Sequence, residues 1–529
     1  SLTTVPRPVP IHPAAPMPPA RLLLFTLAQA ALGGFGDILA NTLNLMNPPL
    51  RAFFNHSIVT HYGPAAAQSF DTIYAVSAAF MFVGLLIGFS FMGNLMDYLG
   101  RKESAVILRS TFGILSGMAM VIGQYTNRFE FFVLGHLFAG IVLAFKVLLV
   151  IFVAECCPDQ NRGMGTMLVN SGASLAVCLV TPLCLPSLFG TERGWTILPL
   201  IAMLQAVLHL VTGIFAFPQS PKQLYIQHGD RDGAQKSVTF YHGDDVNPNL
   251  VLREFEAERL QETNGHASLR EVLSNKTFRW SLWLVLLLSF VPPVSALNVK
   301  SQYLTQLLLS YGLDQSGATL TMLLTSLIAL PLLFVSPWII DKFGRRPLFI
   351  TVCMLCTLEW AGLGLAQFFV DGGVTSFTRA VLGIGGSFLG QSAANLGLLV
   401  MAPILLSEIC PHNTRAAITQ FTQVVPMVLA IGQVTIFPSL LNSIGSLFFL
   451  CFGLLSAGLT MMVWLQLPET RTLPVDRLVN RVTKARSRTQ SNTSAFFHPH
   501  YGSTSNSSSS DFEDLKKTLV RKDQEAQIY

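Results

Sequence analysis

GNLMDYLGRKES (93–104) and DKFGRRPL (341–348) carry one pattern twice. Asp97 stands three residues before Gly100, and Arg101 and Lys102 follow at once. Asp341, Gly344, Arg345 and Arg346 repeat the arrangement. Gly permits a tight turn between two helices, and the flanking charges can lock neighbouring helix ends in one arrangement. A second pattern recurs: ECCPDQNR (155–162) and EICPHNTR (408–415), in which Glu155 or Glu408 is followed by Pro after three residues and by Arg162 or Arg415 after seven. One such loop is ordinary helix-end charge. Two different motifs, each repeated in corresponding places, indicate an internal duplication.

The segments between these motifs are strongly apolar. The 529-residue chain is 51% hydrophobic and 12% charged, with a mean hydropathy of +0.50. A soluble chain carries about twice that charged fraction, and lipid-facing surface accounts for the excess. A helix needs roughly 20 apolar residues to cross a hydrocarbon core. Six such runs lie near 22–46, 70–96, 104–124, 130–154, 164–189 and 195–217. Six more lie near 280–308, 317–340, 348–370, 377–406, 416–440 and 446–466. The expected organisation is an N-terminal segment (1–21), a six-helix bundle (22–217), a polar linker (218–278), a second bundle (279–466) and a Ser-rich tail (467–529). A Pro-rich start and a polar, Ser-rich end are both expected to be disordered. The linker stretch NLVLREFEAERLQETNGHASLREVLSN has the mixed charge and spaced apolar residues of short amphipathic helices. The fold class is therefore an all-α membrane protein of twelve transmembrane helices in two bundles.

Other functional classes are poorly served. A net charge of +5, dispersed along the chain, does not suit nucleic acid. Cys353 and Cys356 form a C-x-x-C inside an apolar run, where one helix cannot wrap a tetrahedral metal, so they read as small apolar filler. No metal site, cofactor or catalytic residue is expected, and no enzyme. The first twenty residues lack the pattern of a secretory signal, so the first run is expected to direct insertion. Basic residues concentrate in alternate loops, around Arg101, Arg162, Arg345, Arg415 and the linker. The positive-inside rule then puts both termini in the cytoplasm, in a chain integral to the membrane, with the plasma membrane its expected location. Asn55-His56-Ser57 falls on the outer side as a glycosylation acceptor, whereas the sequons at Asn275, Asn492 and Asn506 fall inside.

These motifs resemble those of the major facilitator superfamily, and within it the sugar porters, including the animal facilitative glucose transporters. FPQSPKQL (217–224) is similar to the family's P-E-S-P-R motif, with Gln219 where Glu is usual, and LPETR (467–471) to its P-E-T-K-G. NHSIVTHYG (55–63) resembles the glycosylated outer loop of the glucose transporters. The resemblance runs from about residue 22 to 475. It implies two bundles around a central cavity, with Asp97, Arg101, Glu155, Arg162, Asp341, Arg345, Glu408 and Arg415 bracing the gate.

The cavity departs from that family. Its seventh helix usually carries Q-Q-L-S-G-I-N, whose amides hold sugar hydroxyls. Here the segment reads Pro292-Pro293-Val294-Ser295-Ala296-Leu297-Asn298, keeping the Asn and replacing two amides with a kink. Asn170 stands for a longer amide on the fifth helix, Pro403 for a Trp on the tenth, and Pro426-Met427 for an Asn-Trp pair on the eleventh. Other polar groups have appeared. Gln29, Gly33, Asp37, Asn41 and Asn44 follow one face of the first helix. Lys146 stands at a normally uncharged cavity position of the fourth. A charge at membrane depth costs roughly 2.5–3.5 kcal/mol on the insertion scale, so it should pair or face water. Asp37 and Lys146 are expected to face each other across the cavity, either as part of the substrate site or as a structural pair. Gln391 and Asn395 share a face of the tenth helix and join the candidate substrate set. Lys300, near the gate tyrosine position held by Tyr303, is expected to snorkel. Arg109 and Glu359 lie on peripheral helices and are expected to be structural.

The reading is a secondary transporter that moves a sugar or related small polar solute by alternating access, facilitative or proton-coupled. Its partners are a hexose or other polar metabolite, protons as a candidate coupling ion, and the bilayer. Two alternatives stand beside it: a non-transporting nutrient sensor on this scaffold, and a carrier of a charged organic metabolite. Orientation has a direct check. Protein expressed in an animal cell line should shift on peptide-N-glycosidase treatment, and the shift should vanish in Asn55→Gln. Glycan on Asn275 instead would invert the topology.

Overall fold

The computed structural model describes residues 19–262, 269–274, 276–373, 375–410 and 412–469, and these form helices joined by turns. The Pro-rich start, most of the Ser-rich tail and the sequons at Asn275, Asn492 and Asn506 lie outside the described residues, as do the side chains of Asp341, Glu408 and Arg415.

Among the described residues, twelve helices are long and apolar enough to cross a membrane. The first bundle contains span 1 (Ala20–Leu45), span 2 (Pro64–Leu99), span 3 (Glu103–Thr126), span 4 (Phe129–Cys156), span 5 (Arg162–Cys184) and span 6 (Ile197–Phe215). The second contains span 7 (Arg279–Ser310), span 8 (Gln315–Ile340), span 9 (Arg345–Asp371), span 10 (Ser376–Leu406), span 11 (Phe421–Ile444) and span 12 (Ser446–Gln466). Between the bundles run short helices at Pro221–Ile226, Arg231–His242, Pro248–Glu262 and Leu269–Ser274. They mark one end of the molecule, called here the linker end. At the opposite end, the segment after span 1 is itself helical, Asn47–Tyr62, and exposes Asn55.

The halves meet in a pattern that the duplication explains. Span 2 packs along span 11 and span 5 along span 8, while the second part of span 1 packs on span 7. Exchanging the halves maps the first two contacts onto each other and the third onto itself. Burial follows the same logic: 67% of the apolar window of span 7 is buried, against 22% for span 12. Span 7 buries residues on many sides, and span 12 turns most of its surface outward.

Gly100 and Gly344 make the turns that open spans 3 and 9, with φ of +104° and +99°. Both have ψ near 170°, a region essentially reserved for glycine. The repeated glycine in the loop motif is thus a backbone requirement.

Three spans break near their middles. Span 1 divides at Gly33–Gly34 into helices Ala20–Leu32 and Phe35–Leu45. Span 7 divides around Ser295–Ala296, after the Pro292–Pro293 pair, and resumes at Leu297. Span 10 is interrupted at Gly397, whose φ is +119°, rather than at Pro403. Only glycine reaches that backbone conformation without a steric penalty. Each break leaves carbonyls that hydrocarbon cannot satisfy, and side chains from adjacent spans supply the donors. Arg109 Nη2 donates to Gly33 O at 2.7 Å and Gln205 Nε2 to Ala31 O at 2.7 Å. Trp360 Nε1 donates to Val294 O at 2.9 Å, and Ser336 Oγ to Leu396 O at 2.8 Å.

The two charges on peripheral helices are both buried in structural contacts, each with its own partner. Arg109, on span 3, is fully buried against the span 1 break, with its guanidinium 4.3 Å from the Phe35 ring centre. Glu359, on span 9, does not meet Arg109. It receives Lys300 Nζ at 2.6 Å in a pair whose side chains are 2% and 7% exposed. Lys300 therefore does not snorkel, because its position in the first turn after the span 7 break points it at span 9. Gly390 of span 10 leaves room for the carboxylate, since a Cβ there would overlap it.

Removing one partner of a buried ion pair strands the other charge, at a cost of about 3–5 kcal/mol. Glu359→Gln and Lys300→Met should each lower the melting temperature of detergent-solubilised protein clearly. The double variant Lys300→Met/Glu359→Leu should recover most of the loss. A double variant as unstable as either single one would show that the pair is not an isolated unit.

Candidate functional site

Asp37 is the third residue of the second helix of span 1, immediately beyond the glycine break. A carboxylate there faces the unsatisfied N–H groups of the helix start, which favour negative charge. Lys146, in the middle of span 4, donates to both its oxygens, at 3.0 Å to Oδ1 and 3.2 Å to Oδ2. The two side chains keep 21% and 20% of their surface. This separates them from Lys300 and Glu359, which are sealed. The first half of the molecule presents its charge pair, and the second half buries its own.

The other candidates are placed as follows. Asn41, one turn beyond Asp37, donates to the Asp37 carbonyl at 2.8 Å. Asn170 is half-buried on span 5 and bonds within its own helix, to Thr166 O. Asn298 lies in the first turn of the resumed span 7, as Asp37 does in span 1, and donates to Gln433 Oε1 of span 11 at 3.3 Å. On span 10, Gln391 donates to Asn395 at 3.4 Å, and Asn395 holds Ala329 O of span 8 at 2.8 Å. Gln29 is drawn away from Asp37. Its Oε1 accepts from His209 Nε2 of span 6 at 2.7 Å, and His209 Nδ1 accepts from Ser110 at 2.8 Å. This buried chain ties the first helix of span 1 to spans 3 and 6.

Two residues absent from the candidate set belong beside it. Gln433 is buried against Asn298, and its Nε2 has no protein partner among the described residues. Arg109 borders the site from behind, its Nη2 on the Gly33 carbonyl and its guanidinium over Phe35, within electrostatic reach of Asp37. A charged residue in a long apolar run was the available signal for Arg109. Gln433 had none beyond its polarity.

At the linker end, Arg101 pairs with Glu155 at 3.4 Å, and Ser220 Oγ donates to the other oxygen of that carboxylate at 2.9 Å. Gln223 accepts the Arg101 backbone N–H at 2.8 Å, and Lys102 donates to Phe217 O at 2.7 Å. Burial lowers the Lys102 pKa below its ordinary value, with Glu103 opposing the shift. The FPQSPKQL segment is thus knitted into the loop motif of its own half. In the second half, Glu469 of LPETR takes the Arg345 and Arg346 backbone N–H groups at 3.1 and 3.2 Å. Arg162 pairs with Asp159 at 2.6 Å rather than with Glu155. Asp97 is exposed and makes no ion pair among the described residues.

The described hydrogen bonds between the halves lie toward the opposite end. Asn44 accepts the Thr305 N–H at 3.0 Å, and Thr305 Oγ1 donates to Asn44 O at 2.6 Å. Gln315 Nε2 donates to Gly190 O at 3.1 Å, and Gln302 Nε2 meets Met81 Sδ at 3.4 Å. A partly exposed charge pair therefore sits at the level of the helix breaks, with the opposite end drawn closed. This arrangement suits a carrier whose halves rock about a midplane site.

The family model "Sugar (and other) transporter" matches residues 40–480. Facilitated glucose transporter member 7 of solute carrier family 2 from Mus musculus is 25% identical over 88% of this chain and 90% of its own length. Member 5 from Homo sapiens is 22% identical over 88% and 94%. Among solved structures, the inward-open xylose transporter XylE from E. coli superposes with a TM-score of 0.66 at 18% identity, covering 86% of this chain and 98% of that one. A POT family peptide transporter reaches 0.56 at 13% identity, covering 85% and 96%. The frame is thus shared by carriers of very different solutes. With twelve spans among the described residues, duplicated charged loops and a family match over most of its length, this integral membrane protein belongs to the sugar (and other) transporter family and moves a small solute across the bilayer.

Proposed function

We propose that the solute is a hexose or a related small polyhydroxylated compound, bound between the halves beside Asp37 and Lys146. The observation that carries this reading is the partly exposed Asp37–Lys146 pair at the level of the helix breaks. It offers a charged donor and a charged acceptor where a sugar porter of the usual kind relies on amides. Asn41, Asn170, Asn298, Gln391 and Asn395 supply neutral groups on surrounding spans, and Gln433 adds an amide behind Asn298. Relatives named as glucose transporters and a xylose transporter of the same fold support a sugar-like solute. Gln29 has a positioning role in this reading, because His209 holds its amide oxygen.

The linker end faces the cytoplasm, with both termini, and the protein works in the plasma membrane. The basic loops support that orientation. Closure at the opposite end then makes this conformer inward-facing. Arg101, Glu155, Arg345 and their neighbours brace the linker end when the carrier turns outward.

Uptake of radiolabelled hexoses and polyols into proteoliposomes, at two external pH values, tests the reading. A hydrogen bond to a charged group contributes about 1.5–3 kcal/mol. Asp37→Asn and Lys146→Met should therefore each lower hexose uptake at least about tenfold at equal protein incorporation. Uptake faster in acid outside would mark proton coupling, and indifference to pH would mark facilitation. Undiminished uptake in both variants would remove the pair from the site.

A further inference from the structure

We infer that the site selects an anionic member of this solute class, a polyhydroxylated monocarboxylate such as a sugar acid, through Lys146. The inference rests on the proposed location of the site and extends it to the charge of the solute.

Away from the two ends, the described parts of the spans hold five charged side chains: Asp37, Arg109, Lys146, Lys300 and Glu359. Lys300 and Glu359 neutralise each other in a sealed pair. Asp37 is left with two cations, Lys146 in front at 3.0 Å and Arg109 behind, so this cluster carries one positive charge more than its anions cancel. His136 and His209 are counted as neutral, and protonating either would only add to the excess.

The excess cannot be relieved from behind. Arg109 is fully buried, its Nη2 and Nε donate to the Gly33 and Val142 carbonyls, and its Nη1 has no protein partner among the described residues. Among the described residues, no carboxylate other than Asp37 lies away from the ends of spans 1–6. Arg109 thus contributes positive charge to Asp37 in a medium where Coulomb terms are strong. Lys146 is the partly exposed member, able to turn from a shared carboxylate toward one carried by a solute. The helix starts add to the same field. Both resumed half-helices, Phe35–Leu45 and Leu297–Ser310, begin near the middle of their spans, and the second has no acidic residue in its first turn. Half-helix starts at mid-membrane favour anionic groups on a solute. Asp37 then acts as a place-holder that Lys146 leaves when the solute carboxylate arrives.

This assignment reverses the expected behaviour of one variant. For a neutral sugar, Asp37→Asn removes an acceptor and weakens transport. For a carboxylate solute it removes a competitor for Lys146 and strengthens binding.

The test uses full-length protein in proteoliposomes, comparing labelled D-glucuronate with labelled D-glucose. D-glucuronate should be taken up, faster under an inside-positive potential set with potassium and valinomycin. Lys146→Met should abolish that uptake, Lys146→Arg should retain it, and Asp37→Asn should lower the KM for D-glucuronate at least threefold. If Lys146→Met fails to fold, as judged by size-exclusion chromatography, the Lys146→Arg and Asp37→Asn measurements decide. Uptake of D-glucose with none of D-glucuronate overturns the inference and leaves the proposed function standing. An unchanged or raised KM in Asp37→Asn also overturns it. Uptake of neither probe overturns both.

Discussion

A helix interrupted inside hydrocarbon exposes carbonyls that no water can reach, and every such carbonyl needs a donor from the protein. The central architecture follows from meeting that requirement at three breaks. In each half the third helix serves the first: Arg109 of span 3 holds Gly33 of span 1, and Trp360 of span 9 holds Val294 of span 7. The duplication is thus visible in a division of labour as well as in loop motifs. The peripheral spans would otherwise be packing alone. Here they keep the broken helices intact and so determine where polar side chains can stand.

Meeting the same requirement with different side chains makes the halves unequal. An arginine at the first break brings a full charge to mid-membrane, and a tryptophan at the second brings none. The second half instead encloses a lysine and a glutamate that satisfy each other. Polar work at the midplane therefore falls mainly on the first half. The second half contributes amides and a resumed span 7 helix tied to span 9 by its own ion pair. An indole and a guanidinium are interchangeable as carbonyl caps but not as neighbours of Asp37.

Much of the frame was legible in the residues. Apolar runs mark spans because the bilayer demands length and hydrophobicity, and the repeated Asp-x-x-Gly motif marks the halves because Gly100 and Gly344 occupy a backbone region closed to other residues. Pro292–Pro293 announced the break in span 7. The break in span 10 has no such signal, since Gly397 is one glycine among many. The candidate site was legible in part. A lone Asp and a lone Lys in apolar helices have few ways to exist other than together, and Asp37 and Lys146 are together. The destinations of Arg109, Lys300 and Gln29 were hidden, because which buried polar group meets which depends on helix rotation, and a period of 3.6 residues leaves that open across helices far apart in the chain. Snorkelling is the default expectation for Lys300 for that reason.

The contact between Asn44 and Thr305 has a bearing on speed. A carrier must separate its halves at this end once in every cycle, and the Asn44–Thr305 contact supplies two of the hydrogen bonds that hold them. If each bond contributes about 1 kcal/mol net, the two bias the resting population by roughly one to two orders of magnitude. A bias of that size keeps the resting molecule in one posture, yet it is small enough for a bound solute to reverse. Strengthening it by a few such bonds would turn a turnstile into a latch.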